Sequence, residues 1–371
     1  MLRKKILIIS RLIFPAQDPR AFRATELALE LARQGHDVTL YAVLGNHDYS
    51  NYELEHRVKI RNIGKMIFAT LNSDGIKRIN IIDKILFRLL YRLLAFPEIE
   101  FVFRIPKVLK SEKDVDLLIS VAAPYPIHWG CALSREFSKT SFPHVWAADC
   151  GDPYMGNKGP GLKNKYFYFK YIEKWFCRMT DFIVVPFEGA KEGYYAEFRD
   201  KIKVIPQGFS FTNVEICANK TKNSIPTFAY AGFLYSGIRN PAPFLMYLSS
   251  LNRNFKFIIY TKNIELLEPF LKHIGNKIEI RDYIPREKLL FELGQMDFLV
   301  NFENNTNIHF PSKLIDYALV KRPILSIPSN YLPVDTIDEF LNGNYQNQFI
   351  VHNIEQYNII NVAKQFIRLL D

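Results

Sequence analysis

The sequence has 371 residues, of which 48% are apolar and 23% are charged, as is typical of a globular protein with about two or three domains. This composition excludes a disordered, collagen-like or coiled-coil chain. The formal net charge of +10 favours an anionic partner, namely a nucleic acid, an anionic membrane surface or a phosphorylated small molecule.

Cysteine usage and hydropathy indicate the compartment. The four cysteines are far apart in the sequence and form neither a CxxC pair nor a Cys/His cluster, so we expect free thiols in a reducing compartment. The apolar run at Ile6–Ile9 is too short for a signal peptide, and no apolar run approaches the roughly 18 residues of a membrane span. The sequence therefore predicts a cytoplasmic protein.

The first forty residues predict a strand–helix–strand unit. Ile6–Ile9 is a short apolar run typical of a buried parallel strand, and Asp18 followed by a proline begins a helix. Gly35 ends that helix, and Val38–Val43 forms the second strand. The helix has one apolar face, made of Ala24, Leu27, Ala28 and Leu31. Parallel strands joined in this way form a doubly wound sheet.

Similar units recur along the rest of the chain. The first half contains further predicted strands at 117–121, 145–148, 182–185 and 202–205. A polar stretch at 219–224 predicts a linker there or slightly before it. The second half contains predicted strands at 227–231, 257–260, 278–280, 298–302 and 324–327. We expect two tandem α/β domains, at residues 1–208 and 209–371, that face each other across a cleft. Ligands are expected to bind in this cleft, at the carboxyl ends of the strands. An alternative for the C-terminal helix of the second domain is that it packs against the first domain.

Two loops of the second half carry residues suited to a phosphate. In the loop that begins at Gly232, Arg239 can present a forked donor, although a solvated arginine is the simpler interpretation. Ser312 and Lys313 open a helix that also carries Asp316, and the first amides of a helix favour an anion. Asp316 can accept hydrogen bonds from a ribose. The alternative is a serine cap and a surface Lys313–Asp316 salt bridge.

The two loops belong to a longer series of motifs along the chain. The other motifs of the series are Arg20 and Arg23 on the first helix, followed by the segments 35–39, 149–153, 203–208, 284–290 and 322–323. In this order and spacing the chain resembles a GT-B glycosyltransferase of glycosyltransferase family four, the large retaining family that uses nucleotide sugars. The resemblance covers nearly the full length.

The resemblance implies a donor site in the second domain and an acceptor site in the first. Arg239 and Lys313 would neutralise the diphosphate, Asp316 would hold the ribose, and Asp149 would face the sugar. The expected substrate contacts are Arg20, His128, Asp152, Gly232, Tyr235, Tyr283, Ile284, Ser312 and Asp316, with Tyr283 and Ile284 where the base is usually met. The nucleotide sugar is a substrate, so no cofactor is expected.

The sequence departs from the family at one point. Many relatives pair two glutamates with seven residues between them. The second glutamate of the pair matches Asp316. The position of the first is Ile308, whose apolar side chain cannot replace a carboxylate. Glu303 or His309 is expected to approach the sugar instead, so this departure concerns the contacts to the donor sugar.

Three other signals have simpler alternatives. Arg20 fits either a phosphate or acceptor contact or a solvated helix surface, and His128 fits either an acceptor contact or a structural role. Asp114 and Asp116 satisfy the DxD pattern of metal-dependent glycosyltransferases of another fold. They precede a strand, however, at the wrong end for the ligand cleft. We therefore expect no metal.

The segment 79–104 has an amphipathic helical pattern. Two apolar rows at i, i+4 spacing lie beside a basic row made of Lys84, Arg88 and Arg92. Such a pattern suits a helix in the headgroup region of an anionic bilayer, and it equally suits a core helix whose basic row faces water. The resemblance favours the membrane, since many relatives glycosylate lipid-diphosphate acceptors at the inner leaflet.

Taken together, the sequence predicts a metal-independent, retaining glycosyltransferase that extends a cell-surface glycan on a lipid carrier, with a peripheral position on the inner membrane face. A sugar-nucleotide epimerase of the same fold is the alternative, and the basic amphipathic segment argues mildly against it. A nucleic-acid binder is a third possibility, suggested only by charge.

Overall fold

The computed structural model describes residues 2–16, 18–68, 81–156, 165–211, 223–236, 239–303 and 313–371, apart from the side chains of residues 81–84 and 139. The chain divides into two compact units. The N-terminal unit comprises Met1–Ser210 and Gln356–Asp371, and the C-terminal unit comprises Phe211–Glu355. Residues 212–222 lie outside the described residues and include most of the expected linker at 219–224.

The N-terminal unit is built on a parallel sheet. Its strands are β1 (Lys5–Ile9), β2 (Asp37–Ala42), β3 (Lys59–Asn62), β4 (Leu117–Val121), β5 (Val145–Asp149), β6 (Phe182–Val185) and β7 (Ile202–Val204). In the described part of the unit they are ordered β3-β2-β1-β4-β5-β6-β7. The helices are α1 (Pro19–Arg33), α2 (Ser50–His56), α3 (Ile81–Leu94), α4 (Glu100–Ser111), α5 (Pro126–Phe137), α6 (Phe169–Met179) and α12 (Ile359–Ile367).

The C-terminal unit has a smaller parallel sheet. Its strands are β8 (Thr227–Ala231), β9 (Lys256–Tyr260), β10 (Ile278–Arg281), β11 (Phe298–Phe302) and β12 (Ile324–Ile327). Within the described ranges they are ordered β10-β9-β8-β11-β12. The helices are α7 (Ala242–Ser250), α8 (Glu268–Ile274), α9 (Arg286–Gly294), α10 (Lys313–Leu319) and α11 (Val334–Leu341). Two doubly wound α/β units confirm the predicted fold class.

Helix α1 shows why the first unit folds as its sequence predicts. The side chain of Asp18 caps the helix by accepting hydrogen bonds from the backbone N–H groups of Arg20, at 2.8 Å, and Ala21, at 3.4 Å. Gly35 follows the helix with a φ of +93°, a conformation that favours glycine. The apolar face predicted from the sequence is fully buried against the sheet.

Helix α12 completes the core of the N-terminal unit, although the chain reaches it only after the C-terminal unit. Val362, Ala363 and Phe366 are buried in the same cluster as the apolar face of α1. The backbone N–H of Phe209 donates to the carbonyl oxygen of Tyr357 at 2.8 Å, so α12 is also tied to the end of the first chain segment.

The amphipathic segment 79–104 is two helices rather than one. Helix α3 ends at Leu94 and α4 begins at Glu100. Between them Ala95 has a positive φ of 51°, and Pro97 has no N–H to continue the helical hydrogen bonds. Helix α4 buries Phe101 and Ile105 in the core. Helix α3 instead exposes a row of large apolar side chains, namely Ile85, Leu86, Leu89 and Leu94. No helix of the described chain is long and apolar enough to cross a membrane.

Candidate functional site

The order of strands in the C-terminal sheet reverses between β8 and β11. In doubly wound sheets, ligands bind at the carboxyl edge where this reversal opens a crevice between two loops. The loop after β8 begins at Gly232, and the segment after β11 leads into α10, whose first residue is Lys313. The predicted positions Ile308, His309 and Ser312 lie outside the described residues, as does the rest of the range 304–312.

Gly232 allows the first loop to approach Lys313 closely. Its φ is +141°, which other residues rarely adopt. A Cβ atom at this position would lie 3.3 Å from the hydroxyl oxygen of Tyr230 and 3.8 Å from Cδ of Lys313. The structure therefore brings these two sequence-predicted residues together, and a side chain at position 232 would crowd the space between them.

Lys313 is a buried cation, and no carboxylate of the described residues forms a salt bridge with it. Its Nζ atom is buried and has no hydrogen-bond partner among the residues described. It lies 4.1 Å from the centroid of the Tyr230 ring, as in a cation–π contact. Burial, assisted by the nearby charge of Arg239, lowers the pKa of Lys313 well below its ordinary value. A buried ammonium group without a counter-charge is costly, so an anion is the group that this position lacks.

Arg239 supplies a second cation to the same place. The backbone N–H of Arg239 donates to the carbonyl oxygen of Tyr235 at 3.0 Å, and the N–H of Tyr235 donates back at 3.3 Å. These two bonds close the loop that Gly232 begins. Arg239 acts electrostatically on both Tyr230 and Lys313, which shows that the two cations share one neighbourhood. Tyr235 is exposed at the turn of this loop.

Asp316 lies one helical turn after Lys313 but is paired with a residue on another helix. Nε and Nη2 of Arg286, at the start of α9, donate to Oδ1 of Asp316 at 2.9 and 2.6 Å. Burial raises the pKa of Asp316, and Arg286 partly offsets this effect. Among the described residues Oδ2 accepts no hydrogen bond, and 18% of the Asp316 side chain is exposed. The Lys313–Asp316 salt bridge considered from the sequence is not formed.

Arg286 is the residue of this group that the sequence analysis missed. It lies within the segment 284–290, which was matched to the family without being given a role. A signal was present, because an arginine at the start of a helix after β10 faces the same carboxyl edge as Asp316. Near it, Tyr283 is half exposed with Nζ of Lys262 lying 5.3 Å from its ring centroid, and Ile284 packs against the core.

Glu303 follows β11 at the same edge of the sheet. Its Oε1 accepts a hydrogen bond from the hydroxyl of Ser326 at 2.8 Å, and the Ser326 oxygen accepts one from the side-chain amide of Asn301 at 2.8 Å. Glu303 is therefore held at the carboxyl end of β11, where the donor-sugar contact was considered for it. That contact remains a prediction.

In the N-terminal unit, Asp149 ends β5 and is paired with two arginines of α1. Nε of Arg23 donates to Oδ2 at 2.8 Å, and Nη2 of Arg20 lies 3.2 Å from Oδ1. Burial alone would raise the pKa of Asp149, but Arg20 and Arg23 outweigh it and hold the pKa below its usual range. Only 2% of Asp149 is exposed. Direct contact with a sugar would need an open carboxylate, so this geometry gives Asp149 the role of positioning the arginines.

The two arginines differ in how much of the guanidinium group is accessible to solvent. Arg23 is buried, donates to the carbonyl oxygens of Pro206 at 2.5 Å and Ile205 at 3.3 Å, and lies 5.1 Å from the Phe366 ring centroid. Arg20 donates to the carbonyl oxygens of Ala122 and Asp149, and part of its guanidinium stays accessible. Two guanidinium groups share one carboxylate, so the carboxyl edge of this sheet keeps a positive charge.

His128 and Asp152 lie near this cluster in different environments. Nδ1 of the fully buried His128 lies 2.8 Å from the Ser120 hydroxyl, and Nε2 lies 3.4 Å from Sγ of Cys150. Burial lowers the pKa of His128 to about 3, so the ring is neutral and its two nitrogens are occupied. This is the structural role that the sequence left open for it. Asp152 is exposed in the loop after β5, and its carbonyl oxygen accepts a hydrogen bond from Tyr125.

The DxD pattern lies at the opposite, amino edge of the N-terminal sheet. Oδ2 of Asp116 accepts a hydrogen bond from the backbone N–H of Lys5 at 2.7 Å, where β1 begins. Asp114 has a positive φ of 52° in the turn before β4. Across the described ranges, no group of three or more His, Cys, Asp or Glu side chains is arranged to hold a metal ion.

Comparisons with known proteins identify the family of this chain. The model of the family described as Glycosyltransferase Family 4 matches residues 22–212, more than half of the chain. A comparison with curated proteins gives no match.

Solved structures share the fold over the whole chain. A glycosyltransferase from Rickettsia africae superposes with a TM-score of 0.67 at 13% identity, covering 99% of this chain and 98% of its own. The lipopolysaccharide outer core galactosyltransferase WaaB superposes at 0.60 with 13% identity and 98% of both chains covered. Anabaena HepE in complex with UDP superposes at 0.60 with 10% identity and 99% of both chains covered. At these identities the likeness concerns the fold alone.

Proposed function

The chain belongs to glycosyltransferase family 4 and is a glycosyltransferase of the GT-B fold, and from this premise we propose which reaction its site supports. The donor is a nucleotide-diphosphate sugar bound by the C-terminal unit. The acceptor is a glycan or a lipid-linked glycan bound by the N-terminal unit, in cell-surface polysaccharide synthesis, and transfer proceeds with retention. The observation that carries the proposal is the buried ammonium of Lys313, which lies near Arg239 and has no hydrogen-bond partner among the described residues.

The proposed chemistry follows from where charge develops. When the bond between the anomeric carbon and the diphosphate breaks, positive charge builds on the sugar and negative charge builds on the leaving phosphate. Lys313 and Arg239 are fixed cations that interact most strongly with that developing negative charge, so they lower the energy of the transition state. Their desolvated position strengthens the interaction, because an ion pair is screened less in a buried site than in water.

We propose that this leaving-group stabilisation works without a metal ion. The two cations supply the counter-charge that a divalent ion supplies in DxD enzymes. The carboxylates Asp114 and Asp116 lie at the amino edge of the other sheet, where Asp116 is already bonded to the start of β1.

Asp316 and Arg286 form the proposed ribose contact. A carboxylate whose Oδ1 is fixed by an arginine keeps its second oxygen oriented, and that oxygen can accept from a ribose hydroxyl. Tyr283 and Ile284 follow β10, at the same edge, and are proposed to meet the base. Asp149 is buried beneath Arg20 and Arg23 and is proposed to hold these two arginines in place, whereas Glu303 is proposed to contact the donor sugar.

The acceptor side includes a proposed contact with an anionic membrane surface. Helix α3 exposes Ile85, Leu86 and Leu89, which a core helix would bury, and it also carries Arg88 and Arg92. Apolar side chains beside basic ones suit a helix lying in the headgroup layer. This supports a peripheral position on the inner membrane face and a lipid-linked acceptor.

The second candidate is a sugar-nucleotide epimerase, because epimerases share this fold and need the same nucleotide contacts. An epimerase has neither an acceptor nor a use for an exposed amphipathic helix, and the family match favours the transferase.

The donor site is tested by titrating UDP into the whole protein by calorimetry, with Asp316→Ala and Asp338→Ala compared. UDP is the first probe because a structure of the same fold holds it. We expect Asp316→Ala to weaken UDP binding by about tenfold, since it removes a hydrogen bond to a charged group. Asp338→Ala is the control, because Asp338 is bonded to Tyr247 on α7 and lies outside the proposed contacts. Equal affinity in wild type and Asp316→Ala would remove Asp316 from the site.

A further inference from the structure

Five aromatic and imidazole rings form a cluster at the carboxyl edge of the N-terminal sheet. They come from the loop after β1, the loop after β2 and helix α2, namely Phe14, His47, Tyr49, Tyr52 and His56. Each ring contacts the next, with centroids 4.4–6.4 Å apart. We call this group the aromatic cluster. None of these five side chains belongs to the proposed donor site.

Phe14 and His47 are the exposed members of the aromatic cluster, and Phe14 is held firmly. Its backbone N–H donates to the hydroxyl oxygen of Thr25 at 3.0 Å, and its carbonyl oxygen accepts from the hydroxyl of Tyr49 at 2.6 Å. The ring of Tyr52 stacks on one face of the Phe14 ring, with centroids 5.0 Å apart and planes within 7° of parallel. Even so, 42% of Phe14 is exposed.

The location of Phe14 suits a ligand. It follows β1, which lies beside the point where the order of strands reverses between β1 and β4, and parallel sheets bind ligands at that edge. Arg20, with its partly accessible guanidinium, stands in the first turn of α1 just after this loop. An exposed phenyl ring that is already fixed in place has little conformational freedom left to lose on binding. The entropic cost of a contact with it is therefore low.

The chemistry of the cluster matches a sugar ring. A pyranose presents a face of C–H groups surrounded by hydroxyls. The fixed ring of Phe14 provides apolar contact for the C–H groups. The exposed imidazole of His47, whose centroid lies 5.8 Å from that of Phe14 in a T-shaped arrangement, offers both a donor and an acceptor to hydroxyls. Sites that combine an aromatic wall with a few polar groups are typical of small-molecule recognition.

We propose that Phe14, stacked on Tyr52 and with His47 beside it, is the stacking platform of a subsite for a sugar ring of the acceptor. This inference rests on the proposed function, because it takes the acceptor to be a glycan. It adds the residues that recognise that glycan and the way in which they do so.

The test uses the whole protein and a mixture of the methyl glycosides of glucose, galactose, mannose and N-acetylglucosamine, observed by saturation-transfer NMR. In wild type we expect saturation to reach the C–H protons of at least one glycoside. Phe14→Leu keeps an apolar side chain but removes the ring, and it should reduce that transfer by about threefold or more. Phe14→Tyr should retain it. Phe137→Ala is the matched control, because Phe137 is 80% exposed at the far end of α5.

Two results would overturn the platform. One is the absence of transfer to any of the four glycosides in wild type, and the other is transfer in Phe14→Leu that is reduced less than threefold or no more than in Phe137→Ala. UDP titration of the same samples separates this proposal from the proposed function. If UDP binds and the glycosides do not, the platform alone fails. If the glycosides bind through Phe14 and UDP does not bind, the donor site fails and the platform stands.

Discussion

Replacing Lys313 with methionine tests the main electrostatic argument, because it separates the stability of the unliganded protein from its affinity for the donor. Methionine is unbranched and apolar, so it can occupy the space of the lysine stem beside Tyr230. The substitution removes only the ammonium group, which is buried and has no hydrogen-bond partner in the described chain. We therefore expect the two properties to change in opposite directions.

The expected magnitudes follow from that geometry. A buried polar group without a partner costs about 1–3 kcal/mol, so Lys313→Met should raise the free energy of unfolding of the unliganded protein by roughly that amount. The same substitution removes a hydrogen bond from a charged group to the diphosphate. Such a bond contributes about 1.5–3 kcal/mol, so UDP affinity should fall by roughly 10- to 150-fold.

Thermal unfolding with and without UDP measures both effects in one experiment. Lys313→Met should melt higher than wild type in buffer, and its midpoint should move less when UDP is added, since ligand stabilisation depends on the ratio of ligand concentration to Kd. Lys277→Met is the control. Lys277 also lies over an aromatic ring, Phe255, but its Nζ donates to the carbonyl oxygen of Leu251 at 3.4 Å. That variant should show neither change.

The reasoning would be refuted by a Lys313→Met protein that melts lower than wild type in buffer, because the ammonium would then have a stabilising partner. It would equally be refuted by unchanged UDP affinity, because the anion that this position lacks would then not be the diphosphate.

Three further predictions concern pH, metal and membrane. Donor binding should take up protons at pH values between the lowered pKa of Lys313 in the free protein and the higher pKa that a bound diphosphate gives it. Calorimetry in buffers of different ionisation enthalpy across a series of pH values measures this uptake, and zero uptake throughout the series contradicts it. Turnover should survive EDTA, whereas loss that manganese restores would return attention to Asp116. Changing Lys84, Arg88 and Arg92 to Gln should weaken co-sedimentation with anionic vesicles by at most roughly a hundredfold, less at high salt, while donor hydrolysis stays unchanged. Wild type that stays in the supernatant would rule out the membrane contact.

The sequence predicts the sheets well because their strands are short, apolar and buried on both faces. Every strand expected from an apolar run is present within a residue or two of its predicted bounds. The structure has one further strand in the described residues, β3 (Lys59–Asn62), which the sequence pattern did not predict. It lies at the edge of the sheet, and three of its four side chains are exposed, so its sequence has no continuous apolar run to reveal it.

The site was predicted less completely, because partners distant in sequence decide what each side chain does. Lys313 and Asp316 look like a local ion pair at helical spacing. In the structure Arg286 binds the carboxylate of Asp316, and Nζ of Lys313 has no hydrogen-bond partner among the described residues. Asp149 resembles an open strand-end acid in the sequence. In the fold it is covered by Arg20 and Arg23, more than a hundred residues earlier. Helical periodicity alone likewise could not show that α3 and α4 are separate helices with opposite exposure.

The return of the chain to the N-terminal unit has a consequence for how this protein is made. During synthesis the ribosome releases the whole C-terminal unit before it releases α12, and until then the groove on α1 that receives Val362 and Phe366 remains uncovered. The first unit to be synthesised is thus the last to be finished. Domain folding in strict order from the N-terminus, which is common in multidomain chains, is not available to it. A nascent chain halted before residue 359 should bind a holdase chaperone through that groove, and release should follow once α12 has emerged.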